Sequence, residues 1–270
     1  MNASRGPVLG VFDSGFGGLT VLRELLPRIG GAHYIYLGDT ARLPYGAKSQ
    51  TTIARYAVES ARFLESRGAE YLVIACNTAT ALALDEIKAA VTIPVVGVIE
   101  PAVRAAMQRH RSSEVLVLAT TATVQSHVYA RQCAAHGLQA IEKACPLLVP
   151  LVEEGWIDHP VTRDVLRIYL QEALSSGQPK AVLLGCTHYP LIAPAIRSML
   201  RELGSAAEVI DSANATATET ERVVASGRGE TSGAATFECF ATDSVEKFQR
   251  LGSLFLGRTI EDVKHLDLGG

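Results

Sequence analysis

Two cysteines in this chain occupy matching settings that suit acid–base chemistry. Tyr71-Leu-Val-Ile-Ala-Cys76-Asn77-Thr78 and Ala181-Val-Leu-Leu-Gly-Cys186-Thr187-His188 each run four or five apolar residues, suited to a buried strand, into a cysteine. Small polar residues follow, and then a helical pattern begins. In an open α/β sheet ligands sit beyond the carboxyl ends of the strands, where backbone N–H groups and the positive end of the next helix lower a cysteine's pKa. Such a cysteine can be a thiolate near neutral pH. Two of them facing one cavity from opposite sides can remove a proton from one face of a carbon and return one to the other.

A single buried cysteine after a strand is more often only a small hydrophobe. The repeated setting, with Asn77 and Thr78 after one thiol and Thr187 and His188 after the other, supplies hydrogen-bonding groups for a carboxylate or ammonium. Three chemistries are compatible with the pair. A redox pair must lie within bridging distance, yet the two thiols belong to different halves of the chain. A nucleophile with His188 as its base is poorly arranged at two residues' separation. A two-base isomerase uses both cysteines. Cys133, Cys145 and Cys239 lack the setting and read as packing residues.

Apolar runs at Val8–Phe12, His33–Leu37, Tyr71–Ala75, Pro94–Ile99, Val115–Ala119, Ala181–Gly185 and Glu208–Ile210 read as strands. Helical patterns such as Thr51–Arg67 and Val161–Leu174 separate them, which indicates βαβ units and a mainly parallel sheet. The first strand leads into Asp13-Ser14-Gly-Phe-Gly-Gly, whose spacing is not that of a dinucleotide fingerprint and whose size suits a carboxylate. Gly38-Asp39-Thr-Ala-Arg42-Leu-Pro44-Tyr45-Gly46 follows the second strand. Taken alone it is a surface turn with a solvated Asp39 and Arg42, but its position puts it at the same rim.

Thr120 and Thr123 follow the fifth strand as Asp13 and Ser14 follow the first, with 63 residues from Asp13 to Cys76 and 66 from Thr120 to Cys186. These offsets predict an α/β fold of two similar domains with mainly parallel sheets, related by a pseudo-twofold axis, with the active site in the cleft between them. The strand ending in Glu100-Pro101 marks a crossing point, so residues 1–99 with 208–270 form the first domain and 100–207 the second. Of the adjacent Glu153 and Glu154, about 100° apart on a helix, at most one points into a given cavity. Near the end, Ser212–Ala225 reads helical, Ser226–Gly233 as a polar glycine-rich loop, Thr236–Thr242 as a strand and Val245–Leu256 as a closing helix that returns to the first domain.

With 270 residues, 48% of them hydrophobic, the chain can bury a substantial core, and a net charge of −3 gives no reason to expect nucleic-acid or anionic-membrane binding. Apolar runs are strand length, and the first seven residues carry no signal-peptide core, so a soluble, cytoplasmic protein is expected. Five dispersed cysteines without a C-x-x-C pair argue against a disulfide framework and a structural zinc site.

In order along the chain, Val11-Phe-Asp13-Ser14-Gly-Phe-Gly-Gly-Leu-Thr-Val21, Gly38-Asp39-Thr-Ala-Arg-Leu-Pro44-Tyr45-Gly46, Ala75-Cys76-Asn77-Thr78-Ala79, Gly97-Val-Ile-Glu-Pro101 and Leu184-Gly-Cys186-Thr187-His188-Tyr-Pro190 resemble the successive signatures of the glutamate racemase family. The resemblance implies cofactor-independent, metal-free interconversion of L- and D-glutamate, supplying the D-isomer for peptidoglycan. It implies Cys76 and Cys186 as the acid/base pair, with Asp13 and His188 assisting the neighbouring thiols and Glu153 as an auxiliary carboxylate. Substrate contacts implied by the motifs are Asp13, Ser14, Tyr45, Gly46, Asn77, Thr78, Thr187 and His188, joined by Thr120 and Thr123. A homodimer follows from the same resemblance. Some family members inhibit DNA gyrase, although this chain has no basic patch for nucleic acid. Aspartate racemisation is the neighbouring activity within the superfamily.

Overall fold

The structure, a computed structural model, describes residues 6–228 and 232–269, with the side chain of Arg228 left aside. Residues 229–231, the centre of the polar glycine-rich loop read from the sequence, lie outside the described residues. The chain divides into two compact units: a first built from the residues on either side of Ile99–Ser212, and a second, continuous one, Ile99–Ser212 itself.

The flanking residues form a six-stranded parallel sheet. Its strands are β1 (Val8–Asp13), β2 (His33–Gly38), β3 (Tyr71–Ile74) and β4 (Val95–Gly97) from before Ile99, joined by two from after Ser212. The continuous unit holds a four-stranded parallel sheet of β5 (Glu114–Ala119), β6 (Gln139–Ala144), β7 (Ala181–Gly185) and β8 (Glu208–Asp211). The late strands of the first sheet are β9 (Thr236–Ala241) and β10 (Val263–His265), giving the order β10-β9-β2-β1-β3-β4; the second sheet runs β6-β5-β7-β8. All registered pairs are parallel. Central strands buried on both faces are near-continuous apolar runs, as β1 and β7 are.

The first four strands of each sheet are wound alike, 2-1-3-4 against 6-5-7-8. In each the chain moves outward on opposite sides of a central pair, β1/β3 or β5/β7. That is a topological switch point, where the crevice beyond the strand ends accepts a ligand. Asp13 ends β1 and Cys76 follows β3; Thr120 follows β5 and Cys186 follows β7.

Helix Gln50–Ser66 shows how the helices cover the first sheet. Ser49 caps it by accepting the Thr52 N–H, and Ile53, Ala57, Ala61 and Leu64 form its buried stripe. That stripe joins Phe12, Leu72, Ile74 and Ile87 in one core with Tyr45 and Cys76. The late helix Val245–Leu256 seats Phe248 against Phe16 and Tyr36, at 5.7 and 5.9 Å between ring centroids, beneath the Asp13 turn.

Three details differ from the sequence reading. Glu208–Asp211, expected with the first domain, pairs through β8 with β7 and so completes the second sheet. Strand β4 stops at Gly97, and Glu100 and Pro101 lie in the first turn of helix Ile99–Arg109, where proline's missing N–H leaves no helical bond unmade. The sheet-edge strands β6 and β10 escaped the pattern: Gln-Ala-Ile-Glu-Lys-Ala is half-exposed along its length, and Val263–His265 is only three residues.

Candidate active site

In the first unit the turn after β1 and the start of the helix after β3 meet. Cys76 N-caps helix Asn77–Ala90: its Sγ accepts the Ala79 N–H at 3.4 Å and donates to Ser14 Oγ at 3.4 Å. Asp13 is buried, and its Oδ2 accepts the Gly15 N–H at 2.8 Å. Two glycines allow this closeness. A Cβ on Gly18 would stand 2.5 Å from the Asp13 Cβ, and one on Gly38 would stand 2.4 Å from the Gly15 carbonyl oxygen. Asn77 and Thr78 are buried in the first turn of the helix.

The helix N-terminus does not win the electrostatic contest at Cys76. Burial, and then the Asp13 carboxylate, push its thiol up to about 12, against the lowering hydrogen bonds from Ser14 and Ala79. The thiolate expected from the strand-to-helix position is thus a thiol here, because desolvation and a neighbouring anion outweigh the dipole.

The second unit presents the opposite charge. His188 Nδ1 lies 3.9 Å from Cys186 Sγ, and His188 Nε2 lies 3.1 Å from Glu153 Oε1. Burial pulls the imidazole pKa down, but the hydrogen bonds to Cys186 and Glu153 and their charges carry it up to about 10. An imidazolium therefore stands beside Cys186 where a carboxylate stands beside Cys76. Glu153 ends the short helix Leu148–Glu153 and makes the His188 contact, whereas Glu154 is exposed. The Tyr189 hydroxyl donates to the Cys145 carbonyl at 3.2 Å, tying the segment after Cys186 to the turn that leads into that helix. Thr120 caps helix Thr121–Gln125, accepting the Thr123 N–H at 3.3 Å, with the two hydroxyl oxygens 2.9 Å apart.

The chain matches the family pattern described as Asp/Glu/Hydantoin racemase over residues 18–220. It is 49% identical to the glutamate racemase of Koribacter versatilis, with 98% of each chain covered. Its fold superposes on the glutamate racemase of Thermus thermophilus, solved with beta-chloro-D-alanine, at a TM-score of 0.86 and 40% identity over 98% of each chain. The glutamate racemase of Francisella tularensis, solved with D-glutamate, gives 0.87 and 32%, again over 98% of each chain.

The chain belongs to the Asp/Glu/Hydantoin racemase family, in its glutamate racemase branch. Its class is accordingly that of the amino-acid racemases, which are isomerases. Within this racemase the first unit gathers Asp13, Ser14, Cys76, Asn77 and Thr78 at the β1/β3 switch, and the second gathers Thr120, Thr123, Cys186, Thr187, His188 and Glu153 about β5 and β7.

Tyr45 is buried, and its hydroxyl donates to Asp39 Oδ2 at 2.5 Å. Asp39 and Arg42 are likewise not a solvated turn: Asp39 is fully buried, and Arg42 Nε donates to both its carboxylate oxygens at 2.8 and 2.9 Å. Thr242, from the end of β9, donates to Asp39 Oδ1 at 3.0 Å. Charged residues in a Pro/Gly turn carry no sign of burial in sequence. The one available signal is the Tyr-Gly that follows them at a strand-end rim.

Proposed function

We propose that the protein interconverts L- and D-glutamate without a cofactor, with Cys76 and Cys186 working on opposite faces of the substrate α-carbon. The observation that carries this reading is the pair of cysteines at equivalent switch points in two sheets whose first four strands are wound alike, each cysteine backed by an ionisable partner, the two partners opposite in sign. One sulfur, as thiolate, takes the α-proton, leaving the electron pair on carbon. The other, as thiol, gives its proton to the opposite face and becomes a thiolate. The product departs with the two protonation states exchanged, which is the starting state for the reverse direction.

His188, held charged by its hydrogen bonds to Cys186 and Glu153, is the cation beside the Cys186 sulfur. Asp13 opposes a thiolate at Cys76 and is the base available to receive that thiol's proton when Cys76 must act first. The α-carbanion needs its carboxylate neutralised by fixed donors in a water-poor site. Ser14, Asn77, Thr78 and the Tyr45-Gly46 segment in the first unit, and Thr120, Thr123, Thr187 and His188 in the second, supply donors of that kind. Glutamate as substrate is supported by the identity to glutamate racemases and by the relative solved with D-glutamate. The reading extends to supply of D-glutamate for peptidoglycan by a cytoplasmic homodimer, supported by the resemblance to glutamate racemases. Among the described residues no helix is long and apolar enough to cross a membrane.

The test is proton NMR of L-glutamate in D₂O with the purified protein, alongside polarimetry and an L-aspartate control. Loss of the α-proton signal with decay of rotation on glutamate alone is expected. Exchange with aspartate instead moves the activity to the sister racemase, and exchange with neither overturns the reading.

A further inference from the structure

The segment carrying Tyr45 and Gly46 is fixed from a distance by residues of the late chain. Asp39 sits at its start, and its own N–H donates to the Asp13 carbonyl at 3.0 Å, so the loop is anchored on the Asp13 turn. The buried Asp39 carboxylate accepts from Arg42, Tyr45 and Thr242, hydroxyls and guanidinium converging on one anion. Arg42 in turn reaches Glu59 at 2.5 Å and lies over the Tyr56 ring at 4.2 Å from its centroid. The corner after β9 grips the same loop twice more. The Ala41 N–H donates to Thr242 Oγ1 at 2.9 Å, and Thr40 and Asp243 exchange bonds, Thr40 Oγ1 donating to the Asp243 carbonyl at 2.8 Å and the Asp243 N–H to Thr40 Oγ1 at 2.9 Å. Tyr45 belongs to the same core as Cys76 and Ala79.

We propose that Asp39 is a positioning residue for the racemase reaction and that Thr242–Asp243 forms a latch which, through Asp39, holds the Tyr45-Gly46 segment in register beside Cys76. The inference rests on the reading of that segment as part of the glutamate site. A surface turn needs no such hardware: the four bonds from the β9 corner reach across about two hundred residues of sequence. They hold a segment whose own regular backbone is two short 3₁₀ turns, Thr40–Arg42 and Tyr45–Ala47. A buried network of this kind acts as a unit, because removing one member leaves the others unpaired in a low-dielectric site. Tyr45 and Thr242 do not bond each other, and their only shared partner among these bonds is the Asp39 carboxylate.

Steady-state kinetics on glutamate with T242V, T242S, Y45F and the T242V/Y45F double variant tests this, with thermal melts alongside. T242V is near in shape to the parent but lacks the hydroxyl; T242S restores it. The latch predicts that T242V and Y45F each raise KM about fivefold to tenfold with a smaller change in kcat, that T242S recovers the parent KM, and that the double variant falls short of the product of the single effects, as coupled sites do. D39N, expected to give the largest effect, is read only if its melt shows a folded chain. T242V and Y45F with parent KM and kcat, or a loss confined to melting temperature, overturn the latch. A parent protein that turns over no glutamate overturns the proposed function instead, so the two failures are separable.

Discussion

Glu153 Oε1 lies 3.1 Å from His188 Nε2, and the opposite ring nitrogen of His188 lies 3.9 Å from Cys186 Sγ. This chain of carboxylate, imidazole and sulfur puts a positive charge beside Cys186, where the Asp13 carboxylate stands beside Cys76.

The pH dependence of stability should report that charge. The folded pKa of His188, about 10, lies above its ordinary value of 6.5. Its contribution is therefore fully present below pH 6.5 and lost as pH rises through about 10. E153Q removes one of the groups that raise this pKa. It should cost roughly 3 kcal/mol near neutral pH, as removing one partner of a buried pair does, and flatten the fall in melting temperature between pH 7 and 10. Parallel melting curves for parent and E153Q across that range would show that Glu153 does not set the charge.

Cys76 carries two separable jobs, a helix cap and a thiol. C76S keeps an oxygen for the Ala79 N–H, whereas C76A forfeits the cap, typically worth about 1 kcal/mol. Both should lose more than about 10² in racemisation rate, the lower range for a positioned acid or base. Calorimetry and polarimetry together should find C76S near the parent in melting temperature, C76A a few degrees lower, and both without useful turnover. Substantial turnover in C76S would remove the thiol from the mechanism.

Gly18 tests how finely Asp13 is placed. The 2.5 Å approach that a Cβ would make to the Asp13 Cβ, and 2.8 Å to that of Ala75, cannot be relieved by moving a flexible side-chain tip. G18A should destabilise by about 1–3 kcal/mol, as overpacking does, and should lower kcat, read by polarimetry on glutamate beside a thermal melt. An unchanged kcat would mean that Asp13 tolerates displacement.

Much of the framework could be read from the chain because central parallel strands advertise themselves. β1, β5 and β7 are near-continuous apolar runs, and helix Val245–Leu256 coincides with its periodicity. Edges are harder: β6 mixes Glu142 and Lys143 into a half-exposed strand, and Glu-Val-Ile-Asp of β8, expected with the first domain, does not itself say which neighbour it pairs with. The strand–cysteine pattern located Cys76 and Cys186. The proton state of Cys76 was out of reach, since it depends on burial and on Asp13, 63 residues earlier. The same holds for Asp39, whose partner Thr242 is supplied 203 residues later.

The discontinuity of the first sheet also orders the events of synthesis. Ile99–Ser212 contains all four strands of its sheet, so it can close that sheet while later residues are still being made. β2 must wait: its outer neighbour β9 is not complete until Ala241 has left the ribosome, and until then the strand that leads to Asp39 presents an unpaired edge. A nascent chain halted before Thr236 would thus expose a sticky strand next to an unlatched loop, a species that chaperones and proteases are built to recognise.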